Sequence, residues 1–154
     1  MTLRRLHLLV GLAAVVLFLL TGLHMHFRYD HLRGMTDASR LLFRSTHIYL
    51  LFSGLLNLAL GLYLPVPEAG GGAAGGTAEG QGTAGWSMLR DAGSVLILIG
   101  PLLFLAGFLR EPFLGALARP FSRPAIYAAL AGMALHWLAS LRDDRLATPD
   151  RPRS

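Results

Sequence analysis

Histidine is the residue type in this chain that is best suited to chemistry. The sequence contains six histidines and no cysteine, so disulfides, thiolate metal sites and thiol catalysis are excluded. Neutral imidazole binds haem iron and transition metals well. Polar groups are costly in a membrane and usually have partners there. The candidate ligands are the four histidines in or beside long apolar runs: His7, His24, His47 and His136.

His7 and His136 form the first candidate pair, in the first and fourth apolar runs. On a helix, His7 shares its face with Gly11 and Ala14, and His136 shares its face with Gly132. Small residues beside a histidine leave a slot for a flat macrocycle, so the pattern predicts a haem b held by one histidine from each helix. In the alternative interpretation, each histidine binds a backbone carbonyl or lies at the headgroups, and the small residues pack helix on helix.

His24 and His47 form the second candidate pair, on either side of the first connector. They are equally far in sequence from a turn at Met35 and Thr36, which predicts that they lie at the same depth. The same stretch carries arginines that could bind haem propionates. They are Arg28, Arg40 and Arg44. The alternative is that these histidines are interfacial residues that bind lipid phosphates.

The triplet of His24, Met25 and His26 raises a third possibility, a copper or zinc site. On a helix, residues two apart point to nearly opposite sides, so His24 and His26 cannot chelate one ion together. His24 and His31 lie seven residues apart, which is too far for one ion without a further ligand. A metal site would therefore require the helix to unwind near Leu23.

The other polar groups in the apolar runs favour structure over catalysis. Asn57 is predicted to make an interhelical hydrogen bond. No aspartate or glutamate falls in the middle of an apolar run, which weakens a proton-coupled transporter or a carboxylate catalyst. We therefore do not expect an enzyme.

The elements that position these residues are four apolar runs of about 20 residues, the length that crosses a bilayer. The chain is 53% hydrophobic, with a mean hydropathy of +0.50. The pattern predicts one all-α domain over residues 1–154, an integral membrane four-helix bundle made of two antiparallel hairpins. The predicted helices cover residues 3–33, 37–64, 87–109 and 123–141, with a flexible glycine-rich loop at 66–85 and a polar tail at 142–154.

Local signals refine this outline. The first run is too long for a signal peptide and lacks a cleavage site, so it is predicted to be an uncleaved helix. Gly34 is predicted to end that helix, and Thr36 or Asp37 to cap the next one. Gly93, Gly100 and Gly107 recur every seven residues, which predicts that a neighbouring backbone approaches closely along this stripe.

The charge pattern concerns the membrane rather than nucleic acid. The net charge is +5 and the chain contains no lysine, so its arginines, which flank the apolar runs, are expected to meet lipid headgroups. The arginines in the connectors mildly favour an orientation in which the connectors are cytoplasmic and both termini lie on the external side of a bacterial inner membrane. Arg4 and Arg5 argue for the opposite orientation.

Three segments give the chain a resemblance to known proteins. RRLHLLVGLAAVVLFLLTG, RSTHIYLLFSGLLNLALGLYL and ALHWLASL resemble small bacterial membrane proteins of the cytochrome b561-like superfamily, with its copper-resistance D-like and SirB-like relatives. The resemblance implies a four-helix membrane fold and implies His7, His47 and His136 as haem ligands. The third run lacks a histidine, so the chain departs from the pattern of that superfamily and the number of haems stays open.

Three functions remain after these considerations. The first is a b-type haem protein that passes electrons between a quinone or partner and an acceptor. The second is a non-catalytic accessory or assembly subunit of a larger membrane complex, whose histidines and arginines contact lipid or that complex. The third is metal-ion or solute transport. Whether the chain forms a homo-oligomer is left open.

Overall fold

The protein is a bundle of four helices in the part of the chain that the structure describes. This computed structural model describes residues 2–64, 80–114 and 118–147, excluding the side chains of 80–85 and 142–147. The described residues contain no strand, so the predicted all-α four-helix bundle is confirmed. Most of the predicted glycine-rich loop and the end of the tail lie outside them. The helices are α1 (Leu3–Tyr29), α2 (Asp37–Tyr63), α3 (Gly80–Arg110) and α4 (Ser122–Ala147).

Every helix of the bundle is long and apolar enough to cross a membrane. The candidate spans have windows of mean hydropathy between 1.3 and 2.5, well above the average of the chain. The protein is therefore a multi-pass membrane protein by the length and composition of its helices. The spans are Leu3–Leu32, Asp37–Tyr63, Trp86–Phe113 and Ser122–Leu141.

Two helices extend beyond the apolar runs from which they were predicted. α3 begins at Gly80, inside the glycine-rich stretch, and α4 continues to Ala147. No proline interrupts either extension, and residues 142–147 include arginine, leucine and alanine, which are strong helix formers. Hydropathy marks where a helix leaves the bilayer, whereas the helix itself ends where the backbone can no longer continue.

The turn between α1 and α2 has an unusual backbone. Asp30, His31 and Leu32 have φ of 41°, 56° and 65°, a left-handed conformation that is costly for residues other than glycine. Leu32 is 3% exposed and packs with Phe43 and Phe108, so the core beneath the turn offsets this strain.

The predicted start of α2 is confirmed, whereas α1 ends at Tyr29, before Gly34, because the backbone becomes left-handed at Asp30. Gly34 adopts φ of +75°, a conformation that glycine takes without a steric penalty. Thr36 then caps α2, and its side chain accepts a hydrogen bond from Ser39 N at 3.3 Å.

The helices pack in chain order, and small residues permit their close approach. α1 packs on α2, α2 on α3 and α3 on α4, whereas α1 and α4 are not packed together. A Cβ at Gly11 would lie 2.9 Å from Gly54 O, and one at Gly93 would lie 2.9 Å from Gly132 O. The predicted close approach of a neighbouring backbone along the glycine stripe of α3 is confirmed at Gly93. At Gly100 the nearest atom to an added Cβ is instead a side-chain oxygen of α2, Ser53 Oγ, at 3.0 Å.

Glu111 joins the end of α3 to the start of α4. Its carboxylate is fully buried and accepts hydrogen bonds from Phe121 N at 2.9 Å and Ser122 N at 2.7 Å. The Ser122 hydroxyl donates a third bond at 2.7 Å. A carboxylate at a helix N-terminus binds otherwise unpaired N–H groups and interacts favourably with the helix dipole. Glu111 therefore acts as the N-terminal cap of α4.

Candidate functional site

His7 binds Asn57 in the core, between α1 and α2. His7 and Asn57 are both fully buried, and His7 Nδ1 lies 2.8 Å from Asn57 Oδ1. Asn57 Nδ2 donates to Ser53 O at 2.8 Å and to Ile97 O of α3 at 3.4 Å. The predicted interhelical hydrogen bond of Asn57 is therefore confirmed, and it links three helices.

This network determines where the proton lies on a neutral His7. The two carbonyls can only accept, so the Asn57 amide nitrogen faces them and its oxygen faces His7. Nδ1 of His7 must then carry the hydrogen and donate it, which leaves Nε2 with a lone pair. Among the described residues, His7 Nε2 is the one buried side-chain nitrogen or oxygen without a hydrogen-bond partner. A metal-binding histidine has this arrangement.

His136 is held by a different residue, on α3. Its Nε2 lies 3.1 Å from the hydroxyl of Ser94, which is fully buried. The ring packs against the backbone at Gly93, where an added Cβ would lie 3.0 Å from His136 Cδ2. His136 Nε2, the nitrogen that would bind haem iron, is thus already hydrogen-bonded to Ser94.

Neighbouring helices pack directly against the small residues near His7 and His136. A Cβ at Gly11 would lie 2.8 Å from Leu58 Cγ, and one at Gly132 would lie 2.6 Å from Ile97 Cγ1. Because α1 and α4 are also not packed together, these glycines serve contacts between α1 and α2 and between α3 and α4. They do not line a macrocycle slot between the two histidines.

His47 binds α1 near the other end of the bundle. Its Nδ1 lies 2.9 Å from Thr21 Oγ1, and its ring stacks on Phe18 with centroids 4.1 Å apart. The Thr21 hydroxyl donates its hydrogen to Phe18 O at 2.9 Å, so its oxygen is free to accept from His47 Nδ1. His47 therefore also presents an Nε2 lone pair when it is neutral.

His24 has neighbours different from those of His47. Its ring makes edge contacts with Tyr29 and with Phe108 of α3, at 5.3 and 6.2 Å between centroids. Thr21 occupies the position across from His47, and His24 lies three residues further along α1, about 4.5 Å in rise. The expectation of equal depth is therefore off by nearly one helical turn, because the hairpin is centred on Gly34 and not between Met35 and Thr36.

The arginines proposed for propionates have different neighbours. Arg28 lies over the Tyr29 ring at 5.8 Å, and Arg40 forms an ion pair with Asp37. Arg44 is exposed on α2 and has no ion-pair partner among the described residues. Arg28 and Arg44 therefore both lack a carboxylate partner among the described residues.

The histidines of the first connector do not gather into a metal site. His26 and His31 approach edge to face, with centroids 4.3 Å apart. Within the described ranges, no group of three or more histidine, aspartate or glutamate side chains is close enough to hold a metal ion.

The sequence interpretation missed three partners that the structure identifies: Ser94, Thr21 and Glu111. Each is a polar residue in or at the end of an apolar run, so a search for inward-facing serine and threonine would have found the first two. Pairing residues about Gly34 would have matched Thr21 with His47. Glu111 gives no such signal, since its bonds depend on where α4 starts.

No family model, no curated protein and no solved structure matches the chain.

Proposed function

We propose that this protein is a non-catalytic accessory subunit of a larger complex in the bacterial cell membrane. Its intramembrane histidines hold the bundle together, and its role is to present a stable four-helix surface to that complex. The larger complex is inferred from the arginines that flank the apolar runs, which can contact other subunits.

The observation that carries the proposal is that three intramembrane histidines each bind a polar side chain of a neighbouring helix. His7 binds Asn57, His47 binds Thr21 and His136 binds Ser94. Each pair connects two neighbouring helices, and each histidine is held by a polar side chain and not by a second histidine. Interhelical hydrogen bonds of this kind stabilise membrane bundles.

Blue native electrophoresis of membranes that contain a tagged chain at its natural level tests this role. We expect a discrete band far above the 16.6 kDa of the chain that persists when His136 is replaced by asparagine. A chain that migrates alone would overturn the proposal.

A haem b electron carrier is the second candidate, favoured by the unpartnered Nε2 of His7. Haem supplies one-electron transfer when it is bound. His7 fits the role of an axial ligand, because Asn57 fixes Nδ1–H and leaves Nε2 free. The remaining expected residues do not fit a haem between α1 and α4, since Ser94 engages His136 and helices fill the small-residue positions. We therefore derive no electron-transfer step.

A visible spectrum of the purified protein after reduction by dithionite separates the two candidates. A folded, colourless protein that does not take up added haem supports the accessory role. A sharp Soret band that is lost in His7→Ala and kept in His26→Ala would replace it with the haem function.

A further inference from the structure

We propose that the groove between α2 and α4 binds one acyl chain of an anionic phospholipid, with Arg44 and Arg123 binding its headgroup phosphate. This inference concerns a surface that neither histidine pair touches, and it goes beyond the proposed accessory role.

The groove exists because α2 and α4 flank α3 without packing on each other. It has a volume of about 370 Å³, within the range of small-molecule sites. Its floor is formed by Phe104 of α3 and Ala129 of α4, which are 1% and 4% exposed. Its walls are apolar and include Phe52 from α2 and Met133 from α4. A hydrocarbon chain is the ligand that these walls suit.

Two arginines lie at one end of this groove. Arg44 precedes Ile48, a lining residue of α2, by one helical turn, and Arg123 precedes Ile126, a lining residue of α4, in the same way. Both arginines are exposed, and neither has an ion-pair partner in the described parts of the chain. Arginine binds phosphate oxygens in a bidentate manner.

The length of the groove suits one leaflet of the bilayer. From Arg123 to Met133, α4 rises about 15 Å, which is about half the thickness of the hydrocarbon core. A phosphate at the arginines would therefore place an acyl chain along the groove towards the middle of the membrane. The two positive charges favour an anionic lipid over a zwitterionic one.

Lipid retention measured by native mass spectrometry tests the site. The full chain is reconstituted in nanodiscs of equal phosphatidylglycerol and phosphatidylcholine, and the lipids that remain bound after release are counted. We expect a preference for phosphatidylglycerol that falls about fivefold for each arginine removed in Arg44→Gln and Arg123→Gln. Arg28→Gln removes the same charge at Tyr29 and should keep the preference.

A second variant distinguishes lipid binding in the groove from a general electrostatic attraction of anionic lipid. Ala129→Phe fills the floor and leaves both arginines in place, and we expect it to reduce retention of phosphatidylglycerol. Its far-ultraviolet circular dichroism and monomer elution should match those of the unsubstituted chain. If Ala129→Phe fails to fold, Ala129→Val replaces it, with a smaller loss of retention expected.

Three results would overturn the proposal. Equal retention of both lipids would exclude selection by the arginines. A loss in Arg28→Gln as large as that in Arg44→Gln would show an unspecific charge effect. A dimer that is lost in Ala129→Phe and carries no lipid would show that a second copy of the chain fills the groove.

Discussion

His7, His47 and His136 each use a ring nitrogen to bind a side chain on a neighbouring helix. In hydrocarbon there is no water to replace such a bond, although model systems show that each contributes only about 0.6 to 2 kcal/mol. The individual pairs are thus modest, and their main effect is to determine which faces of the helices meet.

The bond between His7 and Asn57 is predicted to appear as a coupling energy. His7→Leu and Asn57→Leu each leave a buried polar partner unpaired, whereas the double variant removes both. We expect the double variant to be more stable than the sum of the single effects implies, by about 1 kcal/mol. Reversible unfolding in mixed micelles measures it. The effects of His7→Leu and Thr21→Val should be additive. A coupling energy of equal size between these two positions would contradict the assignment of Asn57 as the partner of His7.

Glu111 is predicted to be the most sensitive carboxylate among the described residues. Glu111→Gln can keep its oxygen on the two backbone N–H groups, but it turns an N–H₂ towards the Ser122 hydroxyl and removes the charge at the start of α4, at a cost of about 1 kcal/mol. Asp37→Asn is the matched control, because the Asp37 side chain is 94% exposed, and it should change stability by less than about 0.5 kcal/mol. Equal effects in the same unfolding assay would show that Glu111 is not a cap.

At the scale of the elements, glycine contacts hold the helices in two close pairs, α1 with α2 and α3 with α4. The backbone of one helix lies directly on the next at Gly11 and at Gly93. Such contacts gain van der Waals energy that lipid cannot supply, since lipid tails are as apolar as the side chains.

Gly11→Val is predicted to separate α1 from α2. A Cβ at this position would lie within 2.9 Å of the Gly54 carbonyl and the Leu58 backbone, so the helices must move, at a cost of about 1 to 3 kcal/mol or more. Ala13→Val is the control, because Ala13 is exposed on the same helix. The variants are compared by their unfolding midpoints, and a neutral Gly11→Val would show that the packing is looser than the structure indicates.

At the scale of the whole molecule, the first span, formed by α1, places Thr2 and the connector between α1 and α2 on opposite sides of the membrane. We expect the connector to be cytoplasmic, because arginines near the spans favour that side. A cytoplasmic connector would also turn Arg44 and Arg123 towards the leaflet that is richer in anionic lipid.

Cysteine labelling tests this orientation directly, since the chain has no cysteine of its own. In intact spheroplasts, a maleimide that cannot cross membranes should label Thr2→Cys and not Asp37→Cys. Both should react after lysis, which serves as the control. Labelling of Asp37→Cys alone in intact spheroplasts would show the opposite topology.

The sequence by itself determined the membrane class, the four helices and the turn at Gly34 and Thr36, because span length, hydropathy and backbone permissiveness are local properties. Tertiary structure alone decided which polar groups meet. Which α1 residue lies opposite His47 depends on the centre of the hairpin. That centre is one or two residues earlier than predicted, so Thr21 lies opposite His47 in place of His24. The helices pack mainly in chain order, with the closest pairs α1 with α2 and α3 with α4. Side chains and backbone of these neighbours therefore fill the space that the small residues had suggested for a macrocycle.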